Sequence, residues 1–261
     1  MSGTLNNTGV LITRPAHQAD HLLSLIELAG GHTFLFPTIE IQPLETADLQ
    51  QALRDLAQAD IAIFISANAV TFGFEAMAAH HVSFPAGLHL ATVGAATARA
   101  LEAHGHTPDI VPDEDFRSES LLAHPTLQQL EGKRIVIFRG KGGRELLAST
   151  LSERGAHIEY AECYQRAKPN SDPAAVEQHW AAGEINVVAA TSVEGIRNLF
   201  DMLGPEGKAL MQNTAIVVVS QRMADACHSI GLNGPVIIAA EASDRAIVDA
   251  IETWRQQQKS L

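Results

Sequence analysis

The sequence predicts an α/β protein made of two similar parallel-sheet halves. Three features carry this expectation. Short apolar runs alternate with amphipathic helical stretches from end to end, the pattern that puts helices on both faces of parallel sheets. The order of these runs recurs at an offset of about 125 residues. It recurs only once, so the chain reads as a duplicated domain and not as a solenoid, whose period would be ~20–50 residues.

The elements follow in order. Val10-Leu11-Ile12 is an apolar run that stops at Thr13-Arg14-Pro15. Ala19, Leu22, Leu23, Ile26 and Ala29 then recur at three- and four-residue spacing, which predicts a helix ended by Gly30-Gly31. A second strand is predicted over 33–36, up to Pro37, completing a βαβ unit. In the second copy Ile135-Val136-Ile137 stands over Val10-Leu11-Ile12, and Arg139 over Arg14. Leu147, Ala148 and Leu151 stand over Leu22, Leu23 and Ile26, and Gly155 over Gly30. Further along, the run 61–65 with Ser66-Ala67 stands over 186–190 with Thr191-Ser192. One inserted residue then brings the run 90–93 with Gly94 over 216–219 with Ser220, and Gly105 over Gly231. About five strands per half correspond to two small flavodoxin-like domains.

Composition narrows the function. The 261 residues are 46% hydrophobic, enough for two cores, but only 5% aromatic, so aliphatic side chains are expected to fill them. The formal charge is −12 and no basic run occurs, which excludes a nucleic-acid binder. An acidic surface gives no general steering of an anion, so an anion site would need locally positive groups. No apolar run approaches ~20 residues and no basic-then-apolar leader opens the chain. No membrane segment is therefore expected, and the cytoplasm is the expected compartment. Cys163 and Cys227 form no C-x-x-C pair and are expected to be buried free thiols. The twelve histidines are scattered without a zinc-ligand pattern, so no metal is expected. Neither a G-x-S-x-G nucleophile nor a catalytic Cys–His signature is present. The chemistry expected of such a chain is proton transfer and positioning.

Parallel α/β sheets carry their working loops at the carboxyl ends of the strands. The candidate binding residues are therefore Arg14, the turn Ser66-Ala67-Asn68, Gly94 with Thr97, Arg139-Gly140-Lys141, Thr191-Ser192, and Ser220 with Arg222. The turn that begins at Arg139 continues through Gly142-Gly143-Arg144, placing three cations within six residues. It lacks the Gly-Lys-Ser/Thr ending of a Walker loop, and it is not G-x-G-x-x-G. Most of these loops are small, hydroxylated or amidic, and each leads into a helix. First-turn N–H groups left open there bind carboxylates or phosphates, whereas plain helix capping is the competing use of the same residues. The two tyrosines are Tyr160 and Tyr164. Tyr164 follows a strand predicted over 157–163, where the chain would leave one half for the other. A packing role and a role in the site are both open to it.

These segments carry a resemblance that spans nearly the whole chain. Val10-Leu11-Ile12-Thr13-Arg14-Pro15, the run from Phe64 through Ser66-Ala67-Asn68, Val93-Gly94 with Thr97, the turn from Arg139, Glu162-Cys163-Tyr164 and the pair Thr191-Ser192 are together similar to the uroporphyrinogen-III synthase family. The resemblance implies two α/β domains joined by a two-strand linker, one of residues 38–166 and the other of 1–37 plus 167–261. It implies a lyase of tetrapyrrole biosynthesis (haem, sirohaem, chlorophyll, cobalamin). Such a lyase closes the linear tetrapyrrole hydroxymethylbilane to uroporphyrinogen III, with loss of water and inversion of the terminal ring. It implies no organic cofactor and no metal, a monomer, and a transient contact with the preceding pathway enzyme. Tyr164 matches the family tyrosine that assists the departing hydroxyl. Met223 stands where the other half has Thr97, so the second side lacks that hydroxyl. A non-catalytic two-lobed binding protein for an anionic small molecule is the alternative, with the same loops and no use for Tyr164.

Overall fold

The computed structural model describes residues 3–112, 118–143 and 145–259. The chain divides into two compact units, one of Met1–Glu40 with Ala167–Leu261 and one of Ile41–Arg166. Ten strands form among the described residues. They are β1 (Gly9–Ile12), β2 (His32–Leu35), β3 (Glu40–Pro43), β4 (Ile61–Phe64), β5 (His89–Thr92), β6 (Arg134–Gly140), β7 (His157–Ala167), β8 (Val187–Ala189), β9 (Ala215–Val218) and β10 (Val236–Ile238). The chain crosses between the units within β3 and within β7.

The first unit has the sheet order β10-β9-β8-β1-β2, with every pairing parallel. Numbered within the unit, that is the 2-1-3-4-5 order of a flavodoxin-like sheet. The second unit has the order β3-β7-β6-β4-β5, with β7, β6, β4 and β5 parallel. The expected α/β architecture with two parallel sheets is what forms. Alternate residues of each central strand feed opposite layers. Leu11, Val188 and Ile216 pack with Trp180 and Leu199, while Val10, Ile12, Val187 and Val217 pack with Leu22, Ile26 and Ile251. In the second unit Ile61, Ile63, Ile135 and Ile137 build one layer, and Ala62, Phe64, Val136 and Phe138 the other. This last layer departs from the aliphatic expectation. Phe64 stacks on Phe138 at 4.5 Å, and Phe74 and Phe84 close around Phe64. Phe72 and Tyr164 pack against the same layer, while Phe36 and Trp180 lie in the core of the first unit.

Strand register shows the duplication and corrects its alignment. Ile135 pairs with Ile61, and its counterpart Val10 pairs with Val187. Val187 is therefore the counterpart of Ile61, so the extra residue lies before β8. Ser66 then corresponds to Ser192 and not to Thr191, and the two serines cap equivalent helices. Helices in both copies also end alike. Gly30 and Gly155 have φ of 85° and 90°, and Gly105 and Gly231 have φ of 82° and 81°. Each stands just past a helix end, in the left-handed conformation that costs glycine least.

Strand β7 runs four residues beyond the expected 157–163. Its register against β6 slips between Arg139 and Gly140: Arg139 faces Glu162, but Gly140 faces Tyr164. Cys163 is the unmatched residue, a β-bulge. Its thiol turns inward toward the Ala69 and Arg139 carbonyls. Burial pushes that thiol up to about 12, and Cys227 up to about 11; both are free and buried.

Candidate active site

The bulge decides where Tyr164 points. Tyr160 and Tyr164 are four residues apart and would share a face of a regular strand. Cys163 breaks the alternation, so Tyr160 packs against the Ile61/Ile137 layer and Tyr164 joins the Phe64/Phe138 layer. The Tyr164 ring is 7% exposed, beside Phe72 at 5.7 Å, and its backbone carbonyl accepts from the Lys141 N–H at 2.7 Å. The ring lies directly on Gly140: a Cβ there would stand 2.6 Å from it. Its hydroxyl is 3.0 Å from Ser66 Oγ. Ser66 caps the helix Ala67–Ala79 by accepting from the Ala69 N–H at 3.1 Å. Ala67 and Asn68 form the half-buried first turn of that helix. Gly94 opens the helix Ala95–Ala103 without any side-chain cap bond, and Thr97 is buried on the first turn of that helix.

Arg139 is not an open cation. It is 2% exposed, and its Nε donates to the Gly142 carbonyl at 3.1 Å while its Nη2 also reaches that carbonyl. Nη1 donates to Glu145 at 3.2 Å, Glu162 lies 3.9 Å away, and the guanidinium sits 4.5 Å over the Tyr160 ring. Tyr160 donates to the other Glu145 oxygen, and burial together with that bond pushes its phenol up to about 12. The turn is thus closed on itself by Arg139, with Lys141 exposed on its outside. Arg144 lies outside the described residues.

The first unit repeats the arrangement without the phenol. Thr13 Oγ1 donates to the Ala189 carbonyl at 3.1 Å, and Thr38 Oγ1 to the Thr13 carbonyl at 3.0 Å. Asn198 donates to the Thr38 carbonyl at 2.8 Å. Arg14 is held by Asp244 at 2.6 Å and the Gln18 carbonyl at 3.3 Å. Burial works against the Asp244 charge, but bonds from His21 and Arg14 outweigh it and hold the carboxyl below its usual range. Ser192 caps the helix Val193–Met202 through the Gly195 N–H at 2.9 Å, beside half-buried Thr191. Ser192→Ala is expected to lower stability by about 1 kcal/mol in a urea titration, the usual cost of losing an N-cap. Ser220 opens the helix Gln221–Ser229 with no side-chain cap bond, as Gly94 does in the other copy. Arg222 is exposed on the first turn, and Met223 is as buried as its counterpart Thr97.

The sequence did not mark the roles of Glu145, Glu162, Asp244, Thr38 or Asn198. Glu145 follows the cation-rich turn closely and could have been paired with Arg139 by spacing. Asp244 is 230 residues from Arg14, and no local pattern links them. Among the described residues no group of three His, Cys, Asp or Glu is placed to hold a metal, and no helix is long and apolar enough to cross a membrane.

Fold and loops together define a two-unit, doubly wound α/β protein whose polar groups gather at the carboxyl ends of its strands. The family profile described as uroporphyrinogen-III synthase HemD matches residues 20–249. The chain belongs to the uroporphyrinogen-III synthase family, lyases of tetrapyrrole biosynthesis. The uroporphyrinogen-III synthase of Escherichia coli K12 is 31% identical over 246 residues, covering 93% of this chain and 99% of that protein. The Proteus mirabilis uroporphyrinogen-III synthase is 38% identical over 158 residues, 60% of this chain and 79% of that protein. Among solved structures, uroporphyrinogen-III synthetase from Helicobacter pylori matches 95% of this chain and 99% of its own, with a TM-score of 0.60 at 13% identity. At that identity the likeness is one of fold.

Proposed function

We propose that this chain closes hydroxymethylbilane to uroporphyrinogen III, with loss of water and inversion of the terminal pyrrole ring. Family membership supports the reaction. The observation that carries the residue assignment is the Tyr164 phenol, which faces Gly140 at the end of β6 with its hydroxyl 3.0 Å from the Ser66 cap. In this reading Tyr164 gives its proton to the departing hydroxyl, which leaves as water while its carbon becomes an azafulvene cation. Ring closure through a spiro intermediate later releases a proton, which can restore the phenol. The eight substrate carboxylates call for many weak donors. The uncapped first-turn amides after Gly94 and Ser220 suit that need, and so do the exposed Lys141 and Arg222. In the second unit Ala67, Asn68 and Gly140, and in the first Thr191 and Ser192, offer further amides and hydroxyls, while Arg14 and Arg139, each paired with a carboxylate, brace their own turns. A monomer without a cofactor suffices for loss of a hydroxyl and movement of one proton. The free substrate also closes spontaneously without inversion, so transient contact with the enzyme that makes it would limit that loss.

The test is incubation of the pure protein with fresh hydroxymethylbilane and separation of the product isomers. The type III isomer is expected to dominate; type I alone, at the rate seen without protein, would overturn the proposal. Saturating product is also expected to protect the fold from heat. At a hundred times Kd it adds about 2.7 kcal/mol, which a melting curve reads as a rise of several degrees. An unchanged Tm would remove the strand-end loops as the binding site.

A further inference from the structure

We infer that Ser66 works through Tyr164 and not on the substrate: it is a positioning residue that aligns and polarises the phenol. This deepens the reading of Tyr164 as proton donor and rests on it. Three groups stand in line. The Ala69 N–H donates to Ser66 Oγ at 3.1 Å, and Ser66 Oγ is 3.0 Å from the Tyr164 hydroxyl. Ser66 has one hydrogen and its oxygen already accepts from the helix. When that hydrogen goes to the phenol oxygen, the phenol's own hydrogen is left free for an outside acceptor. The amide, the serine and the phenol then all point their donors in one direction, and each bond polarises the next.

The direction matters for the reaction. As the carbon–oxygen bond breaks, its electron pair leaves with the hydroxyl oxygen, and the Tyr164 proton joins it to make water. The phenolate left behind receives the Ser66 O–H bond, and the helix amide behind Ser66 supports that bond at the positive end of the helix. The proton released when the macrocycle closes returns to Tyr164, so no other reactant is needed. The rest of the pocket leaves the phenol few other positions. The ring is fixed by contact with Gly140 and by Phe72, and it is 7% exposed, so the Ser66 bond sets the remaining rotation of the O–H. The duplicate copy shows what the serine does without a phenol. Ser192 caps its helix in the same way through the Gly195 N–H, and a Cβ at Gly195 would meet the Ser192 hydroxyl at 3.0 Å and that of Thr38 at 3.2 Å.

The experiment is a double-mutant cycle in kcat and KM, run well below the melting temperature of each variant. Ser66→Ala is expected to lower kcat about tenfold with KM changed less than twofold. Ser66→Thr, which keeps both the cap and the hydroxyl, is expected to recover most of kcat. In a Tyr164→Phe background Ser66→Ala is expected to cost nothing further. Losses that multiply in the double variant would overturn the inference, as would a rise in KM at constant kcat. If Ser66→Ala is too unstable to assay, Ser66→Asn keeps the cap without a hydroxyl and takes its place. Parent enzyme that forms no type III isomer would end the functional reading itself. Parent enzyme that forms it, with multiplying losses, would end only the role given to Ser66.

Discussion

Tyr164→Phe is expected to lower kcat by about 10–1000-fold while KM changes little, at or below the usual effect of removing a general acid. The loss falls on kcat because the phenol acts as the carbon–oxygen bond breaks, not as the substrate binds. Some turnover survives, since electron-rich pyrroles expel hydroxide with little help. The product remains mainly the inverted isomer, because inversion depends on how the substrate is folded. The Phe ring keeps the contacts with Gly140 and Phe72, so the melting temperature should hardly move. Tyr160→Phe is the comparison. Its hydroxyl is committed to Glu145 on the opposite face of the sheet, so its kcat should stay near that of the parent. Steady-state kinetics with fresh substrate decide the matter. A Tyr164→Phe enzyme as fast as the parent, or a slower Tyr160→Phe, would return Tyr164 to a packing role.

Gly140→Ala is expected to damage stability and turnover together. The added Cβ would meet the Tyr164 ring at 2.6 Å and 2.7 Å, closer than such carbons approach. Strand pairing holds Gly140 and the ring has little room, so the strain should cost about 1–3 kcal/mol, as overpacking usually does. Displacing the ring also breaks the 3.0 Å contact with Ser66, so kcat should fall at least tenfold. Urea titration and kinetics measure the two effects. In a Tyr164→Ala background the extra methyl has space, and Gly140→Ala should then cost no further stability. Equal losses in both backgrounds would show that the methyl harms the strand itself and that Tyr164 is not pinned by Gly140.

Much of the site was legible in the sequence, and the illegible part has a common cause. The turns at Ser66, Gly94, Ser192 and Ser220 could be found because an apolar run followed by a small polar residue and a helical period is a local pattern. That Ser66 and Ser192 bond to their helices while Ser220 does not could not be found this way, because all three are the same residue in the same local setting and only the bonds to Ala69 and Gly195 separate them. Arg139 misleads for a similar reason. In a turn with three glycines and Lys141 it resembles part of an anion site, yet Glu145, Glu162 and the Gly142 carbonyl enclose it. Charge in a sequence does not reveal which charges will neutralise each other.

The duplication, the alternation of strands and helices, and the glycines that end helices are all legible in the residue order. These rest on side-chain periodicity and backbone preference, both properties of short segments. The place of the extra residue before β8, the ion pair of Arg14 with Asp244 across 230 residues, and the direction of Tyr164 emerge only in the folded chain. A pairing register, a distant partner and a bulge exist only once strands lie side by side. At Cys163 that pairing leaves one residue unmatched, and this single irregularity turns the phenol onto Gly140 and Ser66 instead of the opposite face.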